Sequence, residues 1–391
     1  MQALSDRTAS FTDSVIRRMT RISNQYGAVN LSQGFPDFDP PKPILDRLSQ
    51  VAYEDFHQYS ITWGAQDFRE ALAKKQSHFM GRDIDPNGEI VVTCGSTEAM
   101  MAAMMTVANP GDKVVIFSPF YENYSADTIL SGAVPIYVPL TPPSFTFDPE
   151  VLEDAFRQHP KAMILCNPSN PCGKVFTREE LEFIATLAEK YDTYVITDEV
   201  YEHIVYAPHR HTYFATLPGM WERTLSCSSL SKTYSITGWR LGYCCAPKPI
   251  LKQILKLHQF AIMCAPTTSQ YAAVEALKNG DEDIARMREA YDQRRRFLVA
   301  RLREIGMDCF EPYGAFYVFP SIKRFGMSSE EFATRLLQEE KVAIVPGTAF
   351  GDCGEGFMRI SYAYSIEDLK KALDRIEAFV RTLPQVDTTQ N

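Results

Sequence analysis

Between residues 89 and 197 the chain alternates short apolar, β-rich runs with helical stretches, and that alternation leaves few folds open. Residues 89–94 lead into a helical pattern over 96–108, 113–117 into one near 122–130, and 161–166 forms a third short run. Thr177, with Glu180 three positions on, carries a capping-box signal for a helix whose apolar face is Leu181, Ile184 and Leu187. Residues 194–197 are a fourth run. Strands alternating with helices predict an α/β fold, a mainly parallel sheet with helices on both faces.

The C-terminal part reads differently. From Ser365 an amphipathic helix places Ile366, Leu369, Leu373, Ile376, Phe379 and Val380 on one face, while 314–319 and 357–361 read as strands. This predicts a large domain over 44–285 and a smaller α/β domain over 286–391. Residues 1–43 are expected to pack with the smaller domain, and a helical stretch near 281–305 to join the two. The tail after Pro384 has the composition of a disordered segment.

Composition excludes several classes of function. A formal charge of −9, with no basic run, argues against nucleic acid as a partner. The 9 cysteines show no C-x-x-C spacing, which predicts free thiols in a reducing compartment. Charges run through the first twenty residues (Asp6, Arg7, Asp13, Arg17, Arg18) and no apolar stretch is long enough to span a bilayer. The expected localisation is cytoplasmic. His209 and His211 sit in a loop that reads as surface, so no metal is expected.

The chemistry concentrates in a few segments. In 229–240, Lys232 lies between Ser231 and Thr233, ahead of an apolar and aromatic run that ends in Gly238-Trp239-Arg240. A desolvated lysine has a depressed pKa and can form a Schiff base with an aldehyde, while hydroxyls and a guanidinium suit a phosphate. Together they point to pyridoxal phosphate. Cys94-Gly95-Ser96-Thr97-Glu98 stands at a strand-to-helix junction, where a helix N-terminus offers N–H groups to an anion; a simple N-cap is the alternative. The doubled Asn-Pro of Asn167-Pro168-Ser169-Asn170-Pro171 forms a rigid loop that can aim an amide. Asp198, at a strand end, could be a cap or a metal ligand, though no His or Cys cluster supports a metal; with pyridoxal phosphate as ligand it would face the ring nitrogen and keep it protonated. Arg359, inside an apolar β-like run, suits bidentate binding of a carboxylate or a structural ion pair.

With Leu31–Phe38, Gln58-Tyr59, Gly314–Tyr317 and Pro346–Phe350, these segments make the chain resemble the class I aminotransferases of fold type I, aromatic, aspartate and kynurenine types included. The resemblance runs from about Asn30 to Leu383 and implies pyridoxal 5′-phosphate as cofactor. It implies that Lys232 forms the internal aldimine and shuttles the proton between Cα and C4′, that Asp198 pairs with the ring nitrogen, and that Asn170 and Tyr201 bond the ring hydroxyl. It further implies that Tyr121 stacks on the ring and that Ser96, Thr97, Ser229 and Arg240 hold the phosphate. Tyr59 would reach the phosphate of a neighbouring subunit in a homodimer with shared active sites. Arg359 would clamp the substrate α-carboxylate, assisted by the Gly34 backbone and Asn170. The implied reaction is ping-pong transfer of an amino group between an L-amino acid and a 2-oxo acid.

Two positions depart from the family pattern: Cys172 stands where threonine is usual, and Thr97 where some aspartate-using relatives carry lysine. The latter, with Phe35, Trp63 and Tyr121 near the expected mouth, favours aromatic or other large neutral substrates over aspartate; Phe35 and Trp63 could equally be packing residues. A cysteine-S-conjugate β-lyase on the same scaffold is the alternative activity. A ligand-sensing regulator is more remote, since the 30 residues before Leu31 are too few for a DNA-binding module.

Overall fold

A computed structural model describes residues 9, 11 and 13–386. Eight strands form one sheet in the order Ile90–Cys94, Leu241–Cys245, Thr224–Ser229, Tyr194–Asp198, Ala162–Cys166, Lys113–Ser118, Val134–Thr141 and Thr146–Phe147. Five consecutive members, from Thr224–Ser229 to Val134–Thr141, pair in parallel; Leu241–Cys245 is antiparallel to both its neighbours, and Thr146–Phe147 to its one.

Side-chain alternation explains why this sheet is covered twice. Val115, Met163, Leu165 and Val195 enter one apolar core, while Val114, Ile116, Ile164 and Ile196 enter the core on the other face. The period of two puts apolar groups on both sides, as a sheet between two helical layers requires. The helix Arg178–Lys190 lies over the first core through Leu181, Ile184 and Leu187. Its capping box is complete: Thr177 Oγ1 accepts from Glu180 N at 3.2 Å, and Glu180 Oε2 accepts from Thr177 N at 2.8 Å. Thr177→Ala is expected to cost about 1 kcal/mol of stability, read as a lower urea midpoint at unchanged slope.

Another core gathers Met19 and Leu31 with Val200, Tyr201, Ile204, Tyr206 and residues from Met287 to Leu383. Here Met358–Ser361 pairs antiparallel with Tyr317–Val318 and Val345–Pro346, and Val29–Asn30 runs parallel to Val342–Ala343. The helix Asp281–Glu304 enters this core through Met287, Tyr291 and Leu298, and the core beneath Ile90–Cys94 through Ile284.

Four details differ from the sequence reading. The helix Ile366–Arg381 buries Leu369, Leu373, Ile376, Phe379 and Val380, but Ile366, its first residue, is exposed because the chain is still entering from the Ser365 cap. Of 314–319 only Tyr317–Val318 is strand, since Ala315 takes a left-handed backbone (φ 59°). His211 is not a surface residue: its ring is buried, 3.5 Å from Glu199 and edge-on to Tyr213, and His209 stacks on Tyr313. In the tail, Gln385 and Val386 are held by Arg324, through Arg324 Nε to Gln385 Oε1 at 2.8 Å and Val386 N to the Arg324 carbonyl at 2.7 Å. Residues 387–391 lie outside the described residues. All nine cysteines are free, and no helix among the described residues is long and apolar enough to cross a membrane.

Candidate active site

In an open α/β sheet, functional groups collect beyond the carboxyl ends of the parallel strands. Here those ends are Ser118, Cys166, Asp198 and Ser229, with the segments that carry Tyr121, Asn170, Tyr201 and Lys232 leaving from them. Ile90–Cys94 ends at the same edge, because its antiparallel partner Leu241–Cys245 pairs Leu241 with Cys94 and Gly242 with Ser229. Arg240, one residue before that partner, is thereby brought to the helix that starts at Gly95.

Gly34, Ser96, Thr97, Tyr121, Asn170, Asp198, Tyr201, Ser229, Lys232, Arg240 and Arg359 all line one cleft of about 1370 Å³. Tyr59 does not: it is 79% exposed and outside this cleft. Trp63 packs half-buried against the core around Met100 and Tyr124, and Phe35 also lies outside the lining, so of the three aromatics placed near the mouth only Tyr121 lines the cleft.

At the centre is Lys232. Its Nζ donates to the Gly34 carbonyl and lies 6.0 Å from the centre of the Phe316 ring. Desolvation, with Arg359 and Arg240 nearby, pulls its pKa down to about 8 against the opposing pull of Asp198. The uncharged amine is therefore far more accessible near neutral pH than in a free lysine, although the ammonium still predominates.

Asp198 is buried at the strand end. Tyr124 donates its hydroxyl to Asp198 Oδ2 at 2.7 Å, and Val200 N donates to Oδ1 at 3.3 Å. Burial lifts its carboxyl to about 6, with the Tyr124 bond working the other way. Tyr201 and Tyr317 join their hydroxyls at 2.9 Å.

The opposite end is an anion cradle. Gly95 has φ 77° and opens the helix Gly95–Val107, whose first residues Ser96 and Thr97 line the cleft. A Cβ on Gly95 would stand 2.2 Å from Arg240 Nη2, and one on Gly242 would stand 2.2 Å from the Gly95 carbonyl carbon. The guanidinium is thus seated against bare backbone, where it and the helix N-terminus can act on one anion.

Arg359 is 1% exposed. Its Nη1 donates to Asn170 Oδ1 at 3.0 Å and its Nη2 to the Ser32 carbonyl at 2.7 Å, while buried Nε has no partner. The guanidinium also lies 4.4 Å from the Tyr317 ring and 4.9 Å from the Phe350 ring. No carboxylate among the described residues pairs with it, which disfavours the structural ion pair. A buried cation left without a counter-ion is costly unless an anion arrives. The Asn-Pro loop divides its amides between two tasks. Asn167 Oδ1 accepts from Phe176 N at 3.1 Å and ties the loop, which leaves Asn170 for Arg359. Cys172 is fully buried and its thiol contacts Ser169 Oγ at 3.3 Å, so the thiol is accommodated where the family has a hydroxyl.

Sequence reasoning overlooked Tyr124 and the hydroxyl of Tyr317. The signal for Tyr124 was its i+3 spacing from Tyr121 at a helix start. Tyr317 gave none, because its contact with Tyr201 is 116 residues away in sequence. Among the described residues, no group of three or more His, Cys, Asp or Glu side chains is placed to hold a metal. An amine of lowered pKa, a buried carboxyl facing it and an anion cradle at the other end fit a phosphorylated pyridine aldehyde.

Residues 26–376 match the family model described as aminotransferase class I and II. The chain is 41% identical over 379 residues to the putative aminotransferase YugH of Bacillus subtilis (strain 168), covering 96% of this chain and 98% of that one. It is 38% identical over 383 residues to the aspartate aminotransferase of Pyrococcus abyssi, covering 97% and 98%. The crystal structure of an aromatic aminotransferase from Pyrococcus horikoshii OT3 superposes with a TM-score of 0.90 at 36% identity, covering 97% of this chain and 99% of that one.

Proposed function

The chain belongs to the class I and II aminotransferases, enzymes that work with pyridoxal 5′-phosphate, and on that premise we propose which residues perform transamination here and on which class of amino acid. Bound pyridoxal phosphate supplies an electron sink for the pair left at the substrate Cα when its proton departs. Lys232 would hold the cofactor aldehyde, and its amine would be the base that takes the proton from the substrate Cα and gives it back. Asp198, kept in place by Tyr124 and the Val200 N–H, would pair with the ring nitrogen. Asn170 and Tyr201 would bond the ring hydroxyl, and Tyr121 would lie against the ring. Ser96, Thr97, Ser229 and Arg240 would hold the phosphate. Arg359 binds the α-carboxylate with Asn170 and the Gly34 backbone, which turns Cα–H toward Lys232.

The single observation that carries this reading is the buried, unpaired guanidinium of Arg359 in the same cleft as Lys232. We further propose a homodimer in which Tyr59 completes the neighbouring subunit's phosphate site. In support, Tyr59, Tyr53, Phe260 and Ile61 are large apolar side chains standing in solvent. Residues 44–285 are proposed as the large domain, with 1–43 and 286–391 as the small one.

For the substrate we propose aromatic or other large neutral amino acids. Val15, Ile16, Met101, Phe120 and Tyr121 line the cleft, and among the described residues its exposed acidic side chains Asp13 and Asp352 outnumber its one exposed cation, Arg17. A second carboxylate on the substrate would meet repulsion there. Single-turnover spectra of the cofactor with a donor panel test this. Phenylalanine, tyrosine and leucine are expected to react at least about tenfold faster than aspartate, a difference of about 1.4 kcal/mol. Aspartate reacting fastest would overturn the substrate class, and pyruvate release from a cysteine conjugate without an acceptor, at a rate above transfer, would overturn transamination as the main activity.

A further inference from the structure

An anion cradle is an unfavourable place for an acid, yet Glu98 lines the cleft there, next to Thr97 in the first turn of the helix Gly95–Val107. Both of its carboxylate oxygens are engaged. Oε2 accepts from Cys94 N at 2.5 Å, and Oε1 stands 2.5 Å from His258 Nδ1. A carboxylate only accepts, so His258 carries a hydrogen on Nδ1 and donates it. His258 lies in the last turn of the helix Lys248–Ala261, which packs against Gly95–Val107. It is 0% exposed, its Nε2 is buried without a partner, and Glu98 is the one polar partner of its ring among the described residues. A buried imidazole with one nitrogen unsatisfied is expensive, and it is kept here for a single bond.

Arg240 is tied to the same residue as Glu98. Its Nη2 donates to the Cys94 carbonyl at 3.4 Å and its Nη1 to the Thr237 carbonyl at 3.0 Å. The acid on the Cys94 N–H and the guanidinium on the Cys94 carbonyl do not pair, and among the described residues no other carboxylate pairs with Arg240. Left free, the two would attract one another. Such an ion pair would occupy donors that a phosphate needs and set a negative charge against it.

We propose that His258 is a positioning residue of the phosphate site: it holds the Glu98 carboxylate off Arg240 and so keeps that guanidinium for the phosphate. The inference rests on the reading of Ser96, Thr97 and Arg240 given above.

The test is equilibrium binding to the cofactor-free protein of pyridoxal phosphate and of pyridoxal, which lacks the phosphate, each read by the visible absorption of the lysine-bound form. The ratio of the two dissociation constants reports the phosphate site, and a generally loosened fold would weaken both ligands alike. His258→Leu is expected to lower the preference for the phosphorylated ligand at least about tenfold. Adding Glu98→Gln is expected to restore it to within about threefold of the parent, because a neutral amide has no charge with which to engage Arg240. An unchanged preference in His258→Leu overturns the proposal, and so does a drop that Glu98→Gln does not rescue. Should the leucine variant not fold, two amides decide. His258→Asn places its donor near the position of Nδ1 and is expected to keep the preference, while His258→Gln places it near Nε2 and is expected to lose it; equal ratios in the two overturn the proposal. Arg240→Leu is measured alongside and is expected to abolish the preference. If it does not, the assignment of Arg240 to the phosphate fails instead.

Discussion

Lys232→Ala is expected to lower turnover by at least about four orders of magnitude, roughly 5.5 kcal/mol of barrier, and to abolish the visible absorption of lysine-bound cofactor. Two functions vanish with one side chain: the amine that holds the aldehyde and the base that moves the Cα proton. Cofactor binding itself is expected to persist, weakened, because Ser96, Arg240 and Asp198 are independent of Lys232. The variant also has a stability signature. The folded protein holds the Lys232 proton less tightly than the unfolded chain, at about 8 against 10.5. The cost of keeping the lysine charged is therefore fully present below pH 8 and is relieved as the pH climbs toward 10.5. Lys232→Met, which keeps the apolar stem, is expected to melt higher than the parent without cofactor at pH 7, with the gap closing by pH 10. A Lys232→Ala protein that keeps the visible band and the parent rate would remove this residue from the chemistry.

How much of this was legible beforehand depended on the range of each signal. The parallel sheet was readable because its determinants are local: the alternation of Val114, Val115 and Ile116 between two apolar faces, and the capping box at Thr177. The strands Thr224–Ser229 and Leu241–Cys245 went unread, since serines and cysteines such as Ser226, Ser228, Cys244 and Cys245 do not show an apolar period. Within the cleft, the residues foreseen are those in compact motifs, such as Lys232 between its hydroxyls or Asn170 between its prolines. Tyr124 was missed because its meaning comes from Asp198, 74 positions away, and no spacing rule links a helix face to a strand end across a sheet. Tyr59 shows the converse. Its motif was visible, but the side chain is exposed and the chain's own cleft does not include it.

Arg359→Ala is expected to reduce kcat/KM for α-amino acids by about 30- to 5000-fold, the 2–5 kcal/mol typical of truncating one partner of a buried charge pair. The bond to the α-carboxylate forms on binding and also aims Cα–H at Lys232, so both kcat and KM are expected to change. Arg359→Lys is expected to recover little. A point charge on a flexible stem cannot replace a planar fork held by Asn170, Ser32 and the Tyr317 and Phe350 rings. A control distinguishes clamping from general damage: primary amines without a carboxylate, slow in the parent, are expected to react equally slowly in Arg359→Ala, because they never use the guanidinium. The cofactor-free protein should tolerate the change better than a typical core truncation. What is removed is a buried cation without a counter-ion, so the lost packing is offset by relief of its desolvation. If kcat/KM for phenylalanine is unchanged in Arg359→Ala, or falls no more than the rate with a simple amine, the carboxylate is held elsewhere and the orientation of substrate toward Lys232 must be rebuilt around another cation, for which Arg17 is the exposed candidate in the cleft.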